Sequence, residues 1–250
     1  MKKLSFLCLC LLLLLCAQAA HADTLTIDLD AADYDEVVSA IGTLKALRLQ
    51  MLREKYADSQ TITAADGISF RGIPWGAARS EAEKIVGLAN SVRRSHILNT
   101  KSQAYTNGMG IDDQYSDWTA AGYAVTYCDL YYVYPVLDGM LIRDDALARF
   151  YMGQYDIRSL GDINAALADI SGKLVKLYGG YSIANNGDFI WTDDLGNTLI
   201  LHTWSSSFSL TYYAAEAEDW LAEANRAIQL ENAEQEELTR IQNENNTDGL

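Results

Sequence analysis

Basic residues are scarce in this chain of 250. Nineteen Lys and Arg stand against 34 Asp and Glu, a formal net charge of −15. Phosphate backbones are bound by cations that displace counterions, so this balance excludes nucleic acid as a partner. It also argues against attraction to anionic lipid headgroups. Long apolar runs are missing. Leu4–Leu15 spans 12 residues, and a bilayer needs about 20. Cysteine is sparse after the start: Cys8, Cys10 and Cys16 cluster there, and Cys128 stands alone. Neither G-x-x-x-x-G-K-[ST] nor G-x-G-x-x-G occurs, which excludes those nucleotide sites. Charged residues are 21% and hydrophobic ones 49%, a globular composition.

The start of the chain reads as an export signal. Lys2 and Lys3 precede the Leu4–Leu15 run, and Ala20-His21-Ala22 supplies a cleavage pattern before Asp23. A secreted or envelope-associated protein is expected, with residues 1–22 removed and no transmembrane segment afterwards. Leu15 occupies the place before Cys16 where a lipid-attachment box needs a small residue, which disfavours an anchor at Cys16. The mature chain then has 17 basic and 34 acidic residues, a net of −17. With Cys128 its sole cysteine, it forms no internal disulfide. A core of this size needs none.

Patterning predicts an α+β fold with four parts. Residues 23–66 hold an amphipathic helix over 34–57, opened by a capping box at Asp33 and Glu36, and a polar linker. Residues 67–213 form the main domain. Its expected elements are a strand over 68–73, a turn at Pro74-Trp75-Gly76, and a helix over 80–92 opened by Ser80 and Glu83. A loop over 99–118, one or two strands over 122–134 and a strand over 148–157 follow. A helix over 160–178 is stopped by Gly179-Gly180, and strands cover 189–192, 198–204 and 208–213. Asp193 to Asn197 and Ser205-Ser206 are the turns between them. Residues 214–250 carry ten acidic and two basic residues, and are expected to form a long exposed helix with a frayed tail. Residues 67–134 and 146–213 each read as strand, helix and antiparallel meander, hence as two βαβββ units with helices on one face of a sheet.

The segment Phe70-Arg71-Gly72-Ile73-Pro74-Trp75-Gly76, with Ser80-Glu81-Ala82-Glu83 after it, resembles a "GIPWG" signature of uncharacterised secreted α+β proteins from Gram-positive gut-type bacteria. The Tyr123–Tyr134 strand and the Ile190-Trp191 to Asn197-Thr198-Leu199 hairpin are similar to the same group, so the likeness spans most of 67–250. It implies no activity. A looser likeness joins the chain to the outer-membrane-assembly lipoprotein and β-lactamase-inhibitor-protein group, whose paired βαβββ repeats imply a protein-binding role. The chain departs from that group in two ways. It lacks a clear lipid-attachment cysteine, and Leu160-Gly161-Asp162-Ile163 is a degenerate helix opening.

Catalytic constellations are few. His96 and His202 are isolated and lack the local spacing of a zinc site. Cys128 with His202 is a conceivable nucleophile pair, but Cys128 lies in an apolar strand with nothing to activate its thiol. Ser205-Ser206-Ser207 beside His202 lacks a G-x-S-x-G elbow. Carboxylates near aromatics, namely Asp112, Asp113, Asp117, Asp193 and Asp194, are candidates for a glycosidase pair, although solvated turn residues explain them better. Asp193 to Asn197 misses the spacing of a calcium loop. No metal, cofactor or catalytic residue is therefore assigned. Tyrosine is abundant: fifteen occur, seven of them between 123 and 155. Strand tyrosines either fill a core or make a sticky sheet face. The expected function is a secreted, non-enzymatic module binding an unknown protein or glycan. The candidate contacts are Tyr123, Tyr127, Tyr131, Tyr132, Tyr134 and Trp191. The alternatives are a carboxylate-dependent envelope carbohydrate hydrolase, and a structural subunit docking through the C-terminal helix.

Overall fold

The computed structural model describes residues 34–59, 67–86, 94–97, 108–115, 118–158 and 161–245. The expected signal peptide, the Asp33 cap, most of the linker, Asp117 and the last five residues lie outside them. Helix α1 is Tyr34–Ser59, close to the expected 34–57. The chain divides into the units Met1–Gln50 and Met51–Leu250. In the first, the described residues are helical and leave Ile41 and Leu47 exposed.

The second unit is an α+β body around an antiparallel sheet. Eight strands stand in the order β1-β2-β5-β8-β12-β11-β10-β9. They are β1 Arg94–Ile97, β2 Gly110–Tyr115, β5 Tyr127–Val133, β8 Arg149–Ile157, β9 Ser182–Ile183, β10 Phe189–Thr192, β11 Thr198–Thr203 and β12 Phe208–Tyr213. Two small hairpins flank it: β3 Trp118–Ala120 with β4 Tyr123–Val125, and β6 Val136–Leu137 with β7 Met140–Leu141. Asp138-Gly139 closes the second with positive φ at both residues, the backbone a two-residue turn of this hand requires.

Alternation assigns the two faces, because residues paired across antiparallel strands share a face. One inner row is Tyr115, Cys128, Tyr155, Leu210, Leu201 and Phe189. The next is Asp113, Leu130, Gly153, Tyr212, Leu199 and Trp191. Against this face packs helix α3, Ile163–Tyr178, through the buried Ala166, Ile170 and Leu174. Each large apolar side chain buried this way contributes about 1.5–3 kcal/mol. Helix α3 starts three residues after the expected Leu160, because Asp162 is the N-cap. Its carboxylate accepts from the N–H groups of Asn164 and Ala165. Gly179, at φ 79°, ends it as expected.

Two of the expected elements need correction. Residues 68–73 are a tight turn and not a strand. Arg71 and Gly72 both have positive φ, and the Ile73 N–H returns to the Phe70 carbonyl at 3.0 Å. The turn drives Ile68, Phe70 and Ile73 into the inner face. Phe70 lies over Gly153, and the Trp75 ring stacks on Phe150 at 5.1 Å. The "GIPWG" segment is thus a core plug, and the first half lacks the opening strand of a βαβββ unit. The second half keeps strand, helix and meander in β8, α3 and β10–β12, with β12 returning to pair with β8.

The second correction concerns 99–118. That polar stretch contains β2, where Asp112, Asp113 and Gln114 mask the strand pattern. Of the two readings of 122–134, the structure has two strands: β4 pairs with β3 outside the main sheet while β5 joins it. Helix α2 covers Arg79–Val86. Helix α4, Ala217–Asn245, matches the expected C-terminal helix, but its first half is packed through the buried Ala217, Ala224 and Ala227. No described helix is long and apolar enough to cross a membrane.

Candidate functional site

The face opposite α3 carries a different chemistry. Its middle rows read Gln114, Asp129, Gln154, Thr211, Ile200 and Ile190, then Asp112, Tyr131, Met152, Tyr213, Thr198 and Thr192. The Gln114 side-chain amide donates to Asp129 at 2.9 Å. Tyr131 pairs with the Tyr151 ring at 6.5 Å. Burial, and after it the charges of Asp129 and Asp112, push the Tyr131 phenol up, so it stays a neutral donor.

At one end the row is Tyr127, Asp156, Ser209 and His202. Tyr127 is 37% exposed, and the Arg158 guanidinium sits 5.3 Å over its ring. Arg158 also donates to Asp156 at 2.6 and 2.9 Å. His202 contacts Asp188 through Nδ1, and its ring meets Trp204 edge-on at 4.3 Å. Trp204 is 49% exposed and opens the hairpin turn, where its N–H donates to the Ser207 carbonyl at 2.8 Å. This end therefore presents two accessible rings, a guanidinium, an imidazole and two carboxylates on one surface.

The six expected contact residues separate. Tyr127 and Tyr131 lie on the outer face. Tyr132 and Trp191 are fully buried on the inner one, where the Trp191 indole donates to the Gly179 carbonyl at 3.1 Å. Tyr134 is buried and donates to Asp145 at 2.8 Å. Tyr123 braces the β3–β4 hairpin against α3 by donating to Asp169 at 2.8 Å. Tyr132, Tyr134 and Trp191 therefore serve the core, and Tyr123 serves a brace.

Strand parity also disposes of several pairings. Cys128 is on the inner face and His202 on the outer, so they cannot form a nucleophile pair. Burial pushes the Cys128 thiol well up, as an inert core cysteine requires. Asp112 and Asp113 point to opposite faces and cannot share a sugar. Asp113 is taken by Arg79, which donates twice to it at 2.7 Å. Asp193 is also occupied: it accepts from the Ile68 N–H at 2.7 Å, the Asn197 N–H at 2.8 Å, the Leu195 N–H and the Asn197 amide, both at 3.0 Å. A carboxylate wrapped in N–H donors is a turn lock and has no lone pair aimed at a cation.

His202, Asp188 and Trp204 were not among the expected contacts. Their signal was present in the strand alternation. Once Leu199 and Leu201 are placed inside, Ile200 and His202 face out, and the Ser205-Ser206 turn sets His202 opposite Ser209. Comparison with known proteins finds no matching family model, no matching curated protein and no matching solved structure.

Proposed function

We propose that the protein is an exported, non-enzymatic binding module that holds a glycan on the outer face of its sheet. One observation carries this reading. Two exposed rings, Tyr127 and Trp204, bracket the partly exposed Asp156 and His202 along one row of strand residues. Sugar rings offer apolar C–H groups to an aromatic face and hydroxyls to carboxylates, amides and imidazoles. Protein contact cores are instead apolar and desolvated. The exposed Leu177, Ile183 and Leu195 that would suit such a core are not in these rows.

The test is native affinity electrophoresis of the full chain in gels carrying mixed-linkage β-glucan, xylan or galactomannan. Retardation in one gel, reduced in Tyr127→Ala and Trp204→Ala, supports the reading. Retardation in none overturns it. Export through residues 1–22 predicts a mature chain starting at Asp23, and N-terminal sequencing of the protein from the producing cells checks this. A start at Met1 removes that part of the reading.

A further inference from the structure

We infer that Asn186, Asp188 and His202 form a relay that fixes His202 as a hydroxyl acceptor, making with Trp204 a sugar subsite at the β11–β12 end of the outer face. This inference rests on the glycan reading for its ligand, but its chemistry stands on the relay. The Asn186 side-chain amide donates to Asp188 Oδ2 at 2.7 Å, and its oxygen accepts from the Asp188 N–H at 3.3 Å. That pair of bonds sets which way the Asn186 amide points. It also leaves Asp188 Oδ1 for His202 Nδ1.

An ionised carboxylate only accepts, so Nδ1 carries the proton, and in the neutral form of the ring the lone pair is on Nε2. Among the described residues Nε2 has no hydrogen-bond partner. The imidazole is a third exposed while Asp188 is nearly covered. A partly buried carboxylate and an oriented amide thus aim one acceptor at solvent beside an exposed indole. A core histidine needs neither the exposure nor the aim. A sugar placed with its C–H face on Trp204 would bring a hydroxyl to Nε2, and that hydroxyl would donate. Ser209, directly across from His202, is only 3% exposed, which suits a floor to the subsite better than a nucleophile.

Asp188→Asn tests the relay with little change of shape. The Asn186 amide donates towards the former Oδ2, so the new side chain turns its oxygen there and its NH2 towards His202. The ring proton then moves from Nδ1 to Nε2, and the acceptor becomes a donor. Two-bond ¹H–¹⁵N correlations in the free full-length protein read the tautomer. The expected result is Nδ1–H in the native chain and Nε2–H in Asp188→Asn. In the polysaccharide gel that retards the native chain, Asp188→Asn and His202→Ala should each weaken binding by about tenfold, the size of one charge-assisted or well-aligned hydrogen bond. A native ring protonated at Nε2 overturns the relay, whatever the gels show. The native tautomer with undiminished binding in both variants overturns the subsite while leaving the glycan reading intact. A native chain retarded in no gel removes the glycan reading and the subsite with it.

Discussion

Single residues decide how the inner face tolerates polarity. Asp113 lies among apolar neighbours, and Arg79 reaches it from α2 with two parallel bonds of 2.7 Å. Burial works against the Arg79 charge, but the bond and charge of Asp113 outweigh it and hold the guanidinium above its ordinary value. Removing Asp113 leaves the Arg79 guanidinium with the longer contacts to Glu83 at 3.5 Å and Asp145 at 4.0 Å, so Asp113→Ala should cost about 3 kcal/mol, read as a shifted urea midpoint. Nearby, the Tyr132 hydroxyl is buried and has no hydrogen-bond partner among the described residues. Tyr132→Phe discards that orphan and should be neutral or stabilising by about 1 kcal/mol. A clear loss would instead reveal a bridging water. Gly153 is the third such position. A Cβ there would lie 2.4 Å from the Phe70 ring, and that ring is held by Tyr155 and Tyr212 at 4.6 and 5.4 Å. Gly153→Ala should therefore cost about 1–3 kcal/mol by overpacking. None of these couplings was legible in the sequence. Arg79 and Asp113 are 34 positions apart, and Gly153 has no local turn to explain it.

Elements were more legible where their signal is local. Helix α3 has a cap, a periodic apolar face and a glycine stop, and strands β10 to β12 are separated by turn residues. Their bounds could be read from the chain to within a few residues. The tight turn at Arg71-Gly72 was misread because Ile68, Phe70 and Ile73 supply an alternating pattern, while the reversal depends on the positive φ of a non-glycine residue. Its anchorage is also non-local. Asp193, in the β10–β11 turn, accepts the Ile68 N–H as well as donors of its own turn. Burial alone would push the Asp193 carboxyl up. The bonds from Asn197, Ile68 and Leu195 prevail and hold it below its usual value. A carboxyl depressed in the folded state stabilises above its unfolded pKa of about 3.9. That stability is lost as pH falls from there through the folded value. Urea midpoints measured from pH 6 down to pH 2 should therefore drop more steeply for the native chain than for Asp193→Asn. Parallel curves would refute the lock.

At the scale of the whole molecule, charge acts where fold and site do not. Fold class was readable because alternation and periodicity are properties of long stretches. The site was readable only in part, since Tyr127 and Tyr131 share their face with His202 through strand register, which single-strand patterns leave open. Net charge needs no structure at all. With 34 acidic against 19 basic residues, the folded chain repels itself more than the expanded one. Opposing this are ion pairs such as Arg143–Glu231 at 2.6 Å, Lys173–Asp169 at 2.6 Å and Arg240–Glu237 at 2.6 Å, all on exposed side chains and individually weak. Salt screens both. The long-range repulsion sums over every acidic residue, whereas the pairs are few and short-ranged. Raising sodium chloride from about 20 to about 500 mM shortens the screening length from tens of ångströms to a few, and should stabilise the native chain on balance. A gain of about 1 kcal/mol corresponds to a rise in Tm of about 2–4 °C for a domain of this size, which calorimetry in the two salts resolves. A fall in Tm would place the surface pairs above the net charge. It would also predict that Arg143→Gln, which removes the contact between the β7 region and α4, lowers the Tm in low salt and not in high.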